Sequence, residues 1–346
     1  MYNQKRISVV KKIVPIVLTM VCHSLFCQDT HLSQFWLSPI NINPSTTGFI
    51  DGNLRANLYY RTQWRAISEP YQTTGITVDL PVKKRVSKQD IFSLGVNVEY
   101  DIAGDSKYTT AQGLFSFAYA HALNRKNNHF IMAGVSLGAV QRSWDYSQLK
   151  FDEQYQNGIY NTDIPLSEIF PTKGFMFFDC GIGVSWFYQP TINNKMQAGI
   201  SLYHLNMPSI SLYKEDNVRL PIKTNLFFHA EFALNEHNIL QPSVFYAMQA
   251  RYQEFQFGLA HVYLFPFDSQ GFINRFNIGL YYRWNDALYL SVGGEWRRIT
   301  LGICYDFNIS KLVKASPVRG SFELNLSYIF KTERAPRQKR IPCYLF

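Results

Sequence analysis

The chain has 346 residues, of which 47% are hydrophobic and 16% aromatic, which excludes a disordered chain. Only 17% are charged, against roughly 25% in ordinary soluble proteins, so part of the surface is expected to face something other than water. The net charge of +9 resides at the ends: residues 1–27 and 331–346 carry +4 each, leaving +1 on the 303 residues between, with no basic patch to hold nucleic acid.

The first 27 residues read as a secretory signal. A basic start, MYNQKRISVVKK, precedes an apolar stretch from Ile13 to Cys22 that is too short to span a bilayer, and a polar chain begins at Gln28. Cleavage is expected after Cys27. The rival reading, a lipoprotein modified at Cys27, is disfavoured by bulky Leu25 and Phe26, where a lipidation signal has small residues. Cleavage leaves Cys180, Cys304 and Cys343, an odd and scattered set. It offers neither a disulfide framework nor metal-ligand spacing, and no cofactor is expected.

Residues 28–51 are polar but carry Phe35 and Trp36, and they either plug a lumen or form a periplasmic strap. Within them Asn43, Pro44 and Gly48 have the character of turn formers.

From 52 to 330 no stretch is apolar enough for a membrane helix, and no helical period recurs. What recurs is alternation with period two. In Ser321 to Phe330, Phe322, Leu324, Leu326, Tyr328 and Phe330 share one face, and Ser321, Glu323, Asn325 and Ser327 the other. Leu288 to Trp296 and Phe92 to Tyr100 repeat the pattern. A soluble sandwich also alternates, but its polar face is usually rich in Lys and Glu; here Ser, Asn, Gln, Gly and Tyr dominate. An all-β, transmembrane antiparallel barrel of the outer-membrane type explains the low charge and the aromatic excess, since lipid meets its outside and aromatic girdles mark its rims.

Marking every such run gives fourteen: 52–64, 71–82, 90–101, 109–122, 128–143, 174–189, 195–205, 222–235, 238–249, 252–265, 274–284, 287–297, 298–308 and 319–330. An even count suits closure of a bacterial barrel. With both termini periplasmic, odd-numbered connections face outward, and the long ones, 144–173, 206–221 and 309–318, are all odd. The very short ninth connection, Ala250-Arg251, and the longer tenth are exceptions that leave room for an error of count. Residues 331–346 follow as a basic periplasmic tail.

Arg55, Asn57, Tyr59 and Arg61 share one face of the first run. Arginine facing lipid near the midplane costs about 2 to 4 kcal/mol, so this face should point inward, with Arg55 and Arg61 pairing with lumenal carboxylates such as Glu99, Glu231, Glu295 or Glu323. The alternative is that they bind the N-terminal segment or a partner chain.

Signals of catalysis are weak. Gly134 to Gly138 matches G-x-S-x-G, but Ser136 sits inside regular alternation rather than at a strained strand-to-helix turn, so the small residues are expected to make room in the lumen. His229 and Glu231 share an inward face and read as a lumenal hydrogen-bonded pair before an acid-base pair. His121 and His261 fall on the lipid-facing register near strand ends.

LSPININPSTTGF followed by LRANLYYRTQW resembles the start of the PorP/SprF family of type IX secretion system membrane proteins of Bacteroidetes. The C-terminal third is similar to the family's R-x-x-D-A, Y-D-x-N-x-S-x-L and G-x-x-E-x-x-L-x-Y series at Arg283, Asp286, Ala287, Tyr305, Asp306, Asn308, Ser310, Leu312, Gly320, Glu323, Leu326 and Tyr328. LKFDEQYQNG at 149–158 has the look of its long-loop motif. A Pro usually follows the terminal Cys closely in the family, whereas Cys343 is followed by Tyr344.

The resemblance implies a non-enzymatic outer-membrane accessory of type IX secretion. Its partners would be outer-membrane lipid, other secretion components and the C-terminal domain of a large surface protein of the adhesin or gliding type. Trp144, Tyr146, Phe151, Tyr155, Tyr160 and Phe170 of the fifth connection are expected to supply recognition contacts, or else to pack as a lid. A porin or small-solute transporter is the alternative that barrel architecture alone leaves open.

Overall fold

The computed structural model describes residues 29–65, 69–82, 90–145, 149, 151–156, 159–161, 164, 173–211, 218–266, 274–310 and 319–331. The expected signal segment lies outside the described residues, as does the basic tail beyond Lys331.

Every alternating run forms a strand: β1 (Leu54–Gln63), β2 (Tyr71–Val82), β3 (Asp90–Ala103), β4 (Tyr108–Ala122), β5 (His129–Ser143), β8 (Gly174–Thr191), β9 (Asn194–Tyr203), β10 (Lys223–Ala233), β11 (Asn238–Gln249), β12 (Tyr252–Leu264), β13 (Arg275–Arg283), β14 (Ala287–Trp296), β15 (Ile299–Asn308) and β16 (Arg319–Phe330). Two short strands, β6 (Tyr155–Gln156) and β7 (Ile159–Tyr160), pair with each other in the fifth connection. The fourteen long strands close into an antiparallel barrel, with β1 paired to β16 from Leu54↔Phe330 to Thr62↔Phe322. No described helix is long and apolar enough to cross a membrane, but closure gives each of the fourteen barrel strands two neighbours and leaves the barrel without an open edge.

The short ninth connection is a two-residue turn with Ala250 in the left-handed conformation (φ 52°). Pairing on both flanks, β10 with β11 and β11 with β12, is antiparallel and in step with it, so the count of fourteen stands. The hairpins β1–β2, β3–β4, β5–β8, β9–β10, β11–β12, β13–β14 and β15–β16 turn at one end, called here the upper rim. The other turns, Leu54 and Phe330 lie at the lower rim.

Period two places different residues on the two sides of the wall. On β16 Ser321, Glu323 and Asn325 are buried inside, whereas Phe322, Leu326 and Phe330 are exposed outside. Aromatics gather at both ends of the outer face, as interfacial side chains do. Tyr282 packs edge-on to Trp284 and Tyr305 to Phe307 toward the upper rim, and Tyr263 to Phe265 and Tyr328 to Phe330 toward the lower rim.

Residues 29–51 occupy the lumen. The segment is linked to β1 at the lower rim, where Asn53 donates its N–H to the Phe330 carbonyl at 2.7 Å and Lys331 pairs with Asp51 at 2.8 Å. It crosses the interior through three single turns, Pro44–Thr46, Pro39–Ile42 and Phe35–Leu37. Proline at the first position of two of them sets φ without losing a needed donor. The Asn43 side chain accepts from Ser45 N–H at 2.9 Å, and its amide donates to the carbonyls of Val184 and Ile200, 3.1 and 2.9 Å away on β8 and β9. Inward-facing glycines make the track: a Cβ at Gly134 would stand 2.5 Å from the Pro44 carbonyl, and one at Gly183 would strike the Asn43 side chain. Gly48 takes φ +62°, a left-handed bend that lets its N–H reach Asp79 at 2.6 Å.

Candidate functional site

The lumen is a sequence of polar clusters, each tying a wall strand to the internal segment or to its neighbour. Low in the barrel, Arg55 donates Nε and Nη2 to the two oxygens of Asp79, at 2.9 and 2.8 Å, in a bidentate pair. Its partner is therefore the adjacent strand's Asp79, and none of Glu99, Glu231, Glu295 or Glu323.

Arg61 does meet Glu323, Nη1 to Oε2 at 3.1 Å, and Asp306 at 3.6 Å. Both oxygens of Glu323 are also used by the internal segment, accepting the N–H groups of Ser33 and Gln34 at 2.7 and 2.9 Å. The Ser33 hydroxyl accepts from Arg61 and Arg283, each at 2.6 Å, and donates to Asp306 at 3.0 Å. Arg283, Asp306 and Glu323, three positions carrying the family resemblance, thus converge on one serine. Arg61 also donates to His31 at 3.3 Å. Burial, with the guanidiniums of Arg61 and Arg283, pushes His31 well below its ordinary value and so keeps an acceptor nitrogen free.

Glu99 stands apart from the arginines. It accepts from the hydroxyls of Thr30 and Tyr59, each at 2.6 Å, and from Gln112 at 3.1 Å. Glu231 is neutralised by Arg275 at 2.9 Å and Lys195 at 3.2 Å. Glu295 is buried opposite Arg275 in the β13–β14 ladder. The six charged residues singled out in the lumenal register therefore fall into separate networks rather than one cluster. Gln241 bridges His229 and Glu231, at 3.0 and 3.2 Å, so those two are joined through an amide. Ser136 lies mid-strand in β5, opposite Ser116 and Gly181. His121 meets Asp90 at 2.6 Å and His261 meets Asn238 at 2.9 Å, both on the outer face.

Hydrophobic anchors hold the segment between these networks. Trp36 stacks on Tyr281 at 4.4 Å, Tyr281 on Tyr289 at 5.1 Å, and Arg283 lies over the Tyr289 ring. Phe35 stacks on Phe245, and Phe49 meets Phe130 and Phe187 edge-on near the lower rim.

Above the segment the lumen opens into a cavity of about 1580 Å³. Its floor is the start of the described chain. Asp29 lies 2.6 Å from Nε2 of His204, whose Nδ1 is 2.9 Å from Asp179. Arg142 and Lys223 stand 3.7 and 3.8 Å from the Asp29 carboxylate. His204, just past β9, adopts φ +59°, rare for a residue with a side chain and marking a conformation imposed by its surroundings. Burial acts to lower its pKa, but the carboxylates of Asp29 and Asp179 outweigh that and raise it to about 9. Burial acts to raise that of Asp29, but His204, Lys223 and Arg142 hold it well below the carboxylate range.

The aromatics of the fifth connection divide. Trp144 is buried, between Tyr108 and Phe175 at centroid distances of 6.2 and 6.0 Å, and so closes the base of the loop. Tyr155 is exposed and faces Tyr160 across the β6–β7 pair at 5.3 Å. Phe151 donates its N–H to Gln154, which also accepts from the Tyr160 hydroxyl at 3.1 Å. Tyr146 and Phe170 lie outside the described residues. The Asp29 basin escaped the sequence reading because its members sit on five separate stretches of chain, although Arg142, Asp179 and Lys223 each fall on the inward register of a strand.

A family model described as type IX secretion system membrane protein PorP/SprF matches residues 24–328. No curated protein matches the chain. Among solved structures, a deltaS2S3 mutant of the TodX monoaromatic hydrocarbon channel is 12% identical with a TM-score of 0.50, over 88% of this chain and 95% of that one. A Pseudomonas aeruginosa FadL homologue is 13% identical at a TM-score of 0.49, over 90% and 96%. The Ralstonia pickettii toluene transporter TbuX is 10% identical at 0.49, over 86% and 94%. At 12% identity the likeness to the first of these is one of fold alone.

Proposed function

The chain belongs to the PorP/SprF family of type IX secretion system membrane proteins, and from that premise we propose that it is an outer-membrane accessory dedicated to a large cell-surface protein, of the adhesin or gliding type. In this reading it helps to export or retain that protein by engaging its C-terminal domain at the upper rim, which faces outward. Other secretion components are its further partners.

The observation that carries this reading over a diffusion pore or solute transporter is the filled lumen. A solute path would have to pass residues 29–51, which are bound through Glu323, Asp306, Asp79 and the Trp36 stack. Among the described residues a cavity stays open on the side of the longest connection. Tyr155, exposed on the β6–β7 pair, is a contact residue that the loop presents, whereas Trp144 supports the loop from below.

The test is to replace residues 149–166 by a short Gly/Ser linker. Long surface connections add little to closure entropy and carry none of the barrel ladder, so the barrel should assemble. Surface proteomics should then show loss of one large protein with general secretion intact. Loss of every type IX substrate would make the protein a core component, and loss of none, with reduced uptake of a small solute, would make it a transporter.

A further inference from the structure

The resident ligand of the upper cavity's floor is a carboxylate carried on an irregular stretch of peptide, residues 29–32. Its hold is incomplete. Among the described residues, His204 at 2.6 Å and the Gln249 amide at 3.2 Å hydrogen-bond the Asp29 carboxylate. Arg142 and Lys223 stand beyond hydrogen-bond reach at 3.7 and 3.8 Å. Arg142 is 6% exposed, lines the cavity, and its Nε has no partner among the described residues. Three cations, Arg142, Lys223 and His204, thus face two carboxylates, Asp29 and Asp179, while the nearby Glu99 is engaged by Thr30, Tyr59 and Gln112. A buried guanidinium with an unused donor is costly unless an anion completes it.

Beside the cations lies an apolar wall. Arg142 sits over the Phe177 ring, and Phe177 packs with Val140 and Leu220. At about 1580 Å³ the cavity exceeds the roughly 300 to 1,000 Å³ typical of small-molecule sites. It has room for a length of polypeptide.

We propose that this basin is a peptide-carboxylate site occupied in cis by Asp29, and that an extended segment of a partner chain, presenting a carboxylate next to an apolar side chain, binds there by displacing it. That the partner is a secreted protein rests on the function proposed above; the site itself does not. The tethered Asp29 acts as a competitor at high effective concentration, so the intact chain binds weakly and is tuned for exchange.

The test uses the full chain in detergent micelles and calorimetric titration with an acetylated hexapeptide ending in Phe-Asp with a free terminus. Its control is the same peptide ending in Phe-Asn-amide, with acetate and inorganic phosphate as simple anions. Asp29→Asn should tighten binding of the carboxylate peptide at least tenfold, and adding Arg142→Gln or Lys223→Gln should reverse the gain. Assembly is followed by heat-modifiable migration, and Asp29→Ser replaces Asp29→Asn if the latter does not assemble. No gain on removing Asp29, or equal binding of the amide peptide, overturns the proposal. Phosphate or acetate binding as tightly as the peptide overturns it too, leaving a small-anion site. A successful titration with no change in surface proteins after loop replacement would sink the secretion role and leave the site standing.

Discussion

His204 has a carboxylate at each ring nitrogen, and only the doubly protonated ring donates to both. With its pKa raised from 6.5 to about 9, the pair contributes stability that is fully present below the ordinary histidine value and is lost as pH rises through about 9. The difference is worth up to about 3 kcal/mol. His204→Gln should therefore lower the temperature of the heat-modifiable transition at pH 6 to 7, with the gap to the unsubstituted protein closing by about pH 10. A gap independent of pH would mean that His204 acts by packing alone. At this scale the sequence was half legible. The inward register of Arg55, Arg61 and Glu323 follows from period two; their partners do not. Arg55 meets Asp79 because β1 and β2 pair Arg55↔Asp79 directly. Arg61 meets Glu323 because closure pairs β1 with β16, the two ends of the barrel chain. Ser33, which both Arg61 and Arg283 hold, belongs to a segment with no periodicity at all.

Strands were legible because each has a different solvent on each face, which writes the period into the residues, and because long connections on one rim fix parity. Residues 29–51 lacked such a signal: turns of three or four residues leave no repeat, and a segment surrounded by wall is neither uniformly apolar nor uniformly polar. The filled lumen changes what substitutions on the two faces of one strand should do. Leu326 is exposed on the outer face of the wall, so in a membrane Leu326→Arg should impair assembly by about 2 to 4 kcal/mol near the midplane. Asn325 is 1% exposed and donates to the Ser38 hydroxyl at 3.2 Å. Asn325→Arg should leave the barrel assembled but dislodge the segment, since the larger side chain needs the space that Ser38 fills. Heat-modifiable migration reads the first effect, and protease cleavage within residues 29–51 reads the second. Equal loss of assembly from both would mean that wall and segment fold as one inseparable unit.

For the whole molecule the governing quantity is the width that fourteen strands impose. Eight-stranded barrels fill their interiors with wall side chains, and those of sixteen to eighteen leave an aqueous channel, so a fourteen-stranded wall needs a filler or conducts. Here the filler is the chain's own N-terminal segment, and the wall is shaped to it: Gly134 and Gly183 make room for Pro44 and Asn43, Asp79 receives Gly48, and Tyr281 takes the face of Trp36. The wall's own ladder is complete without it, since β1 pairs with both β2 and β16 along its length. A chain lacking residues 29–47 should therefore still close. It would expose the carboxylates of Asp79, Asp306 and Glu323 and the cations of Arg61 and Arg283 to water rather than to the segment's N–H and hydroxyl groups, a state water can solvate once the lumen is open. Planar-bilayer recordings should show the intact protein nearly silent and the shortened one conducting steadily, at a level that falls when a peptide of residues 29–47 is added back. Steady conductance by the intact protein would contradict a lumen closed by its own segment and return the diffusion pore to first place. Failure of the shortened chain to assemble would show that the barrel closes around the segment rather than before it.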